Sequence, residues 1–73
     1  MSERQKLQSA YNKVEDSWNQ VRNAFPFLAD AKLMDTDPAR QATIQGIIDD
    51  LELVKDQLPP FQTRIQAVID SLP

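Results

Sequence analysis

The chain contains no cysteine and no histidine, and glycine occurs once among its 73 residues. Without cysteine it forms no disulfide and offers no thiolate ligand to a metal. Without histidine it lacks the commonest metal ligand and the one side chain that ordinarily titrates near neutral pH. A glycine-rich phosphate loop is excluded as well, because Gly46 stands alone inside a predicted helix. The composition therefore predicts a protein with no metal, no cofactor and no enzymatic activity.

Long apolar runs and basic clusters are also absent from the sequence. The longest apolar runs are a few residues, far below the roughly 20 that span a bilayer. Residues 1–5 lack the apolar core of a signal peptide. The net charge is -3, and no basic patch is present to neutralise phosphates. We therefore expect a cytoplasmic protein that binds neither membranes nor nucleic acid.

Apolar residues recur at steps of three and four, which is the period of a helix with one apolar stripe. The first stripe consists of Leu7, Tyr11, Val14, Trp18, Val21, Phe25 and Leu28. Three small residues flank it at seven-residue intervals and would let a neighbouring helix approach closely: Ala10, Ser17 and Ala24. The second stripe consists of Ile44, Ile47, Leu51, Val54 and Leu58, and the same stepping continues at Phe61, Ile65, Val68 and Leu72. Ile48 and Ile69 lie on the shoulder of this second stripe.

Capping residues and prolines predict where the helices begin and end. Ser2 and Gln5 fit a capping box, and Asp37 followed by Pro38 fits a helix start. Pro26 should break or sharply kink the first helix, although the stripe continues to Leu28 and a kinked continuous helix is the alternative. The tandem prolines 59 and 60 should end the second helix and begin a third. These signals predict helices over about residues 3–24, 38–57 and 59–72, with a short helical turn over about 26–33.

Two all-α architectures are consistent with one helical domain over residues 1–73. In the preferred one, the chain reverses at the double proline and forms a small antiparallel three-helix bundle. In the alternative, a kinked helical hairpin pairs with a second copy as a four-helix dimer. A proline inside a helix costs roughly 3 kcal/mol, which favours the bundle. Either form leaves apolar surface on a chain this short, so we expect a homo-oligomer, with a dimer favoured.

Six residues are candidates for partner binding. Leu53 points away from the second stripe and is surrounded by the acidic residues Asp49, Asp50 and Asp56, which is a common interface layout. Phe27 and Met34 lie off the first stripe, beside the proline break, and have no assigned place in the core. A second acidic group, Asp30, Asp35 and Asp37, lacks the glycine and the closing glutamate of a calcium loop. We interpret it as a turn and a helix cap.

These features together predict a non-enzymatic protein–protein interaction module, a self-associating assembly or regulatory subunit that binds another protein. Two alternatives remain. The first is an acidic inhibitor, antitoxin-like protein or nucleic-acid mimic that blocks a basic target through the aspartates of the second helix. The second is a small-molecule binder or enzyme whose site is built at a subunit interface.

Overall fold

The computed structural model describes residues 2–73, and two long helices contain most of them. Helix α1 comprises Glu3–Met34 and helix α2 comprises Pro38–Ser71. Residues 35–37 connect the helices, which pack side by side as an antiparallel hairpin. The hairpin measures 58 × 17 × 12 Å, so the molecule is a single layer of helices. No helix within residues 2–73 combines the length and apolar content that crossing a membrane requires.

The predicted three-helix bundle is wrong. Helix α1 continues through Pro26, where the sequence predicts a break, and helix α2 includes both Pro59 and Pro60 instead of ending near residue 57. The short turn predicted over residues 26–33 and the third helix predicted over 59–72 are therefore parts of the two long helices. The alternative prediction, a helical hairpin, describes the fold.

The prolines are accommodated because they lie on the solvent side of the helices. All three are exposed, so their rings do not occupy the contact between the helices. A continuous α2 also keeps one column of aliphatic residues against α1 before and after the prolines. Its members recur every seven residues and are all half-buried: Ile44, Leu51, Leu58, Ile65 and Leu72. A chain reversal at residue 59 would remove the last two from this contact.

Both predicted helix starts are confirmed. The amide of Gln5 donates to the hydroxyl of Ser2 at 3.1 Å, and the amide of Ser2 donates to the side-chain oxygen of Gln5 at 2.9 Å. Asp37 caps α2 by accepting from the amide of Ala39 at 2.9 Å, and Pro38 is the first helical residue. These caps satisfy amides that have no partner within the helix.

The seam between the helices follows the first predicted stripe and departs from the second. All seven stripe residues of α1 are half-buried. On α2, the shoulder position Ile69 is the most enclosed, with 4% of its surface exposed, and is the one buried apolar residue in the part of the chain described. Four residues assigned to the core stripe of α2 remain 44–47% exposed instead: Ile47, Val54, Phe61 and Val68. These four residues therefore form part of the molecular surface.

Candidate protein-binding site

A single-layer hairpin has two broad faces, one on each side of the seam. We call the half-buried column of α2, Ile44, Leu51, Leu58, Ile65 and Leu72, the seam column. Residues three positions after a seam residue (44→47, 51→54) lie about 60° to one side of it around the helix. Residues four positions after it lie about 40° to the other side. On α1 the same angles apply relative to Leu7, Val14, Val21 and Leu28. Because the helices are antiparallel, the sides three positions after the seam lie on the same face of the hairpin. A depression lined by Leu7, Phe61, Ile65 and Val68 opens on this face.

We call this side the apolar face. From α2 it contains Ile47, Val54, Phe61 and Val68 at exposures of 44–47%. From α1 it contains the small residues at the corresponding positions, Ala10, Ser17, Ala24 and Ala31. The α2 column is 21 residues long, which is about 32 Å at 1.5 Å per residue. The apolar face is therefore a long strip with large side chains on one helix and small ones on the other.

Residues three positions further round each helix form the rim of the apolar face. On α2 the rim contains Thr43, Asp50, Gln57, Arg64 and Ser71, and on α1 it contains Lys6, Lys13, Gln20, Phe27 and Met34. The guanidinium of Arg64 lies 5.9 Å from the centre of the Phe61 ring. Cations over aromatic faces are mildly attractive, and here the contact covers one edge of the strip.

The opposite side, which we call the polar face, is covered by long polar side chains of the hairpin itself. The ammonium of Lys32 donates to the side-chain oxygen of Gln45 at 2.6 Å, which ties α1 to α2. Lys55 of α2 reaches across the seam and places its ammonium 5.2 Å from the centre of the Phe25 ring. Arg22 lies 5.5 Å from the centre of the Trp18 ring. Such side chains bury their aliphatic stems while their charges stay in water.

The polar face also contains a depression beside Tyr11. Its lining includes Pro59, Gln62, Gln66 and Asp70 of α2. The amide of Gln66 donates to Asp70 at 2.9 Å. The side-chain nitrogen of Gln62 is enclosed and has no hydrogen-bond partner within residues 2–73. An unpaired buried donor lowers the stability of the folded state, so Gln62 reduces the stability of the seam.

The turn between the helices is held by an aspartate and an arginine. Asp35 accepts from Arg40 at 2.8 Å and from the amide of Asp37 at 2.8 Å. Arg40 also lies 3.3 Å from Asp37. The guanidinium of Arg40, and after it the amide of Asp37, lower the pKa of the Asp35 carboxyl. Across residues 2–73, no group of three or more potential ligand side chains could hold a metal ion.

The structure divides the six predicted partner-binding residues between two places. Leu53 is 63% exposed and faces away from α1, with Asp49 and Asp56 beside it on the outer surface of α2. Asp50 belongs instead to the rim of the apolar face, as do Phe27 and Met34, which are 76% and 82% exposed. Their role in binding stays a prediction, but the six do not form one patch.

The apolar face itself was missed because the sequence places its large residues in the core. Either of two columns on α2 could accompany the seam column. The column three positions after the seam residues is apolar from Ile47 to Val68, and the column four positions after them holds Lys55 and Gln62 between two isoleucines. Periodicity favours the apolar column as the one that enters the core. The signal for the apolar face is the seven-residue spacing of Ile47, Val54, Phe61 and Val68 beside an equally spaced seam column.

Comparisons of the chain with protein-family models, with characterised proteins and with solved structures give no match.

Proposed function

We propose that this chain is a non-enzymatic protein–protein interaction module and that the apolar face is its docking surface. The observation that carries the proposal is the column of four large apolar residues, each 44–47% exposed, on a hairpin with one buried apolar residue among those described. Uncovered apolar strips of this kind mark protein–protein contact sites.

The layer architecture supports the same proposal. Stable domains bury apolar faces between two or more layers of secondary structure, and this hairpin supplies one layer 12 Å thick. Covering Ile47, Val54, Phe61 and Val68 with another polypeptide would remove most of their remaining apolar surface from water. Burying a fully exposed aliphatic or aromatic side chain contributes roughly 1.5–3 kcal/mol. These four are 44–47% exposed, so a partner adds roughly half of that for each residue.

The apolar face is a better docking surface than the outer surface around Leu53. A single exposed leucine among charges is ordinary for a folded protein, whereas four large apolar side chains in line are not. Charged residues at the rim, Asp50 and Arg64, complete the usual anatomy of an apolar centre with a polar border. The two surfaces are adjacent on α2, so neighbouring residues separate them experimentally.

Thiol accessibility compares the two surfaces directly. Because the chain has no cysteine, the single variants Val54→Cys and Leu53→Cys each report one position. Without a partner both thiols should react readily, since Val54 is 47% and Leu53 is 63% exposed. We expect the thiol at 54 to react at least about tenfold more slowly than the thiol at 53 when the apolar face is covered.

The measurement is made on purified protein and again in extract of the native host. Slow reaction at 54 in either setting supports a docked apolar face. Equal reactivity at 54 and 53 in both settings contradicts the proposal. Slow reaction at 53 with fast reaction at 54 would instead favour the outer surface around Leu53 and the aspartates as the docking surface.

A further inference from the structure

We infer that the occupant of the apolar face is a second copy of this chain. The inference rests on the proposed function and adds a geometry. The two hairpins pack face to face, related by a two-fold axis perpendicular to the helices at the level of Gln57. The turns then lie at opposite ends, α1 packs against α1 and α2 against α2, and the four helices form an antiparallel bundle.

The area of the face suits such a dimer. The hairpin is 58 Å long and 17 Å wide, so each broad face outlines about 1,000 Å², the product of the two lengths. A stable interface of standard size buries about 800 Å² on each partner. A face-to-face pair that overlaps along most of its length therefore reaches the required size without a further element.

The four large residues of α2 are centred on the level of Gln57, because Val54 precedes it by three positions and Phe61 follows it by four. A two-fold axis there pairs Val54 with Phe61 of the second copy, as a two-fold interface requires.

In this arrangement the small column of α1 faces the small column of the second copy, and the large column of α2 faces the large column of the second copy. Ala10, Ser17, Ala24 and Ala31 of the two copies let the α1 helices approach closely, as small residues at a helix contact do. Ile47, Val54, Phe61 and Val68 fill the wider space between the α2 helices. Both helix pairs are antiparallel, which is the usual arrangement of neighbours in a four-helix bundle.

The rim charges select this arrangement. Asp50 and Arg64 lie seven residues on either side of Gln57, so the two-fold axis sets Asp50 of each copy opposite Arg64 of the other. The other two-fold axis, parallel to the helices, would put α1 of one copy across α2 of the other. In that arrangement the rim of α1, which contains Lys6 and Lys13, would face the rim of α2, which contains Arg64, and like charges would approach each other. Opposite charges across helices attract and like charges repel.

A charge exchange tests the arrangement. In purified protein, we expect Asp50→Arg and Arg64→Asp each to raise the dimer dissociation constant by roughly tenfold, because each creates two like-charge contacts by symmetry. Combining them restores opposite charges between copies and should return the constant to within about threefold of the original. The residues are 14 positions apart on one helix, about 21 Å, so rescue within a single copy is excluded. Sedimentation equilibrium measures all four constants, and circular dichroism confirms that each variant is helical.

Disulfide cross-linking gives a second measurement, which reports the position of the axis. Gln57→Cys lies opposite its own counterpart on the proposed axis and should oxidise to a covalent dimer, whereas Leu53→Cys on the outer surface should not. A Gln57→Cys variant that cross-links only when mixed with Lys13→Cys or Gln20→Cys would overturn the arrangement in favour of the parallel axis. So would an Arg64→Asp variant that binds itself more tightly.

A purified chain that stays monomeric at high concentration overturns the inference outright. If the thiol at 54 is nevertheless protected in host extract, the proposed function survives and the occupant is a different protein. If that thiol is unprotected in both settings, the proposed function fails as well. The two failures are therefore distinguishable.

Discussion

The two broad faces of the hairpin are built from the same two helices and the same seam, yet only one is covered by the chain itself. On the polar face, Lys55 and Lys32 lay their aliphatic stems across the seam and keep their charges in water. On the apolar face, Ile47, Val54, Phe61 and Val68 have no such cover. The chain thus seals one side with amphipathic side chains and leaves aliphatic and aromatic ones on the other. Hydrophobicity alone therefore does not decide which residues of α2 face α1.

Replacing both tandem prolines should produce the largest change, because the two faces exist only if α2 is continuous. Ile47 and Val54 precede the prolines and Phe61 and Val68 follow them. Pro59→Ala with Pro60→Ala restores two helical hydrogen bonds, and proline costs about 3 kcal/mol relative to alanine inside a helix. We expect the free energy of unfolding to rise by roughly 3–5 kcal/mol, less than the full sum because proline also restricts the unfolded chain.

The length of the molecule, measured by small-angle scattering, controls this experiment. A continuous α2 keeps its 58 Å length when the prolines are replaced. A chain that reversed at residue 59 would lengthen markedly as its second and third helices joined. That result would contradict a continuous α2 and therefore the existence of the two faces. Pro38→Ala serves as the matched control, because a proline at the first helical position removes no hydrogen bond and its replacement should change stability little.

Truncating two adjacent residues compares the seam with the apolar face. Ile69 is 4% exposed and Val68 is 44% exposed. Ile69→Ala should cost about 2–4 kcal/mol, as deletions in packed interiors do. Val68→Ala should cost roughly 1–2 kcal/mol if the apolar face is covered, and less than about 0.5 kcal/mol if it faces water. Urea unfolding at two protein concentrations measures both, and a covered face makes the midpoint depend on concentration. A small loss for Val68→Ala at every concentration would remove the reason to treat the apolar face as an interface.

The sequence predicts the local features of this fold well, because each depends on residues close together in the chain. The capping box at Ser2, the cap at Asp37 and the seven half-buried residues of α1 are all confirmed. Each follows from side-chain chemistry at a helix end or from a period of 3.6 residues. The all-helical class follows from the same signals.

The course of α2 could not be predicted in the same way, because two free energies of similar size compete at the prolines. The cost of Pro59 and Pro60 is local and visible in the sequence. The packing of Ile65 and Leu72 against α1 contributes a stabilising free energy that depends on the direction of the chain after the prolines. The two faces also depend on which column of α2 packs against α1. Lys55 and Gln62 lie in the seam, where an apolar column was expected. Periodicity identifies the columns of a helix but not which column meets which neighbour.

Removing the unpaired amide beside Tyr11 tests the polar face. Gln62 is half-buried and its side-chain nitrogen has no partner within residues 2–73, so Gln62→Leu should raise the free energy of unfolding by about 1–2 kcal/mol. Gln66→Leu is the matched control. Gln66 is equally half-buried, but its amide donates to Asp70 at 2.9 Å, and its replacement loses that bond. Equal gains for the two variants in urea unfolding would show that Gln62 finds a partner or water in solution.

Protonating Asp35 in the turn should produce the smallest change in stability. The effect concerns both faces, because the turn sets how α1 and α2 align. Arg40 and the amide of Asp37 lower the pKa of Asp35 in the folded chain below its ordinary value of 3.8. Its contribution is therefore fully present above about pH 5 and is lost as the pH falls through the lowered pKa. Asp35→Asn should reduce stability at neutral pH and flatten its decline below about pH 4. Thermal unfolding of the original and variant proteins between pH 2 and 7 measures both effects. If the Asp35→Asn variant keeps the original acid dependence, other carboxylates cause it and the turn does not fasten the two faces together.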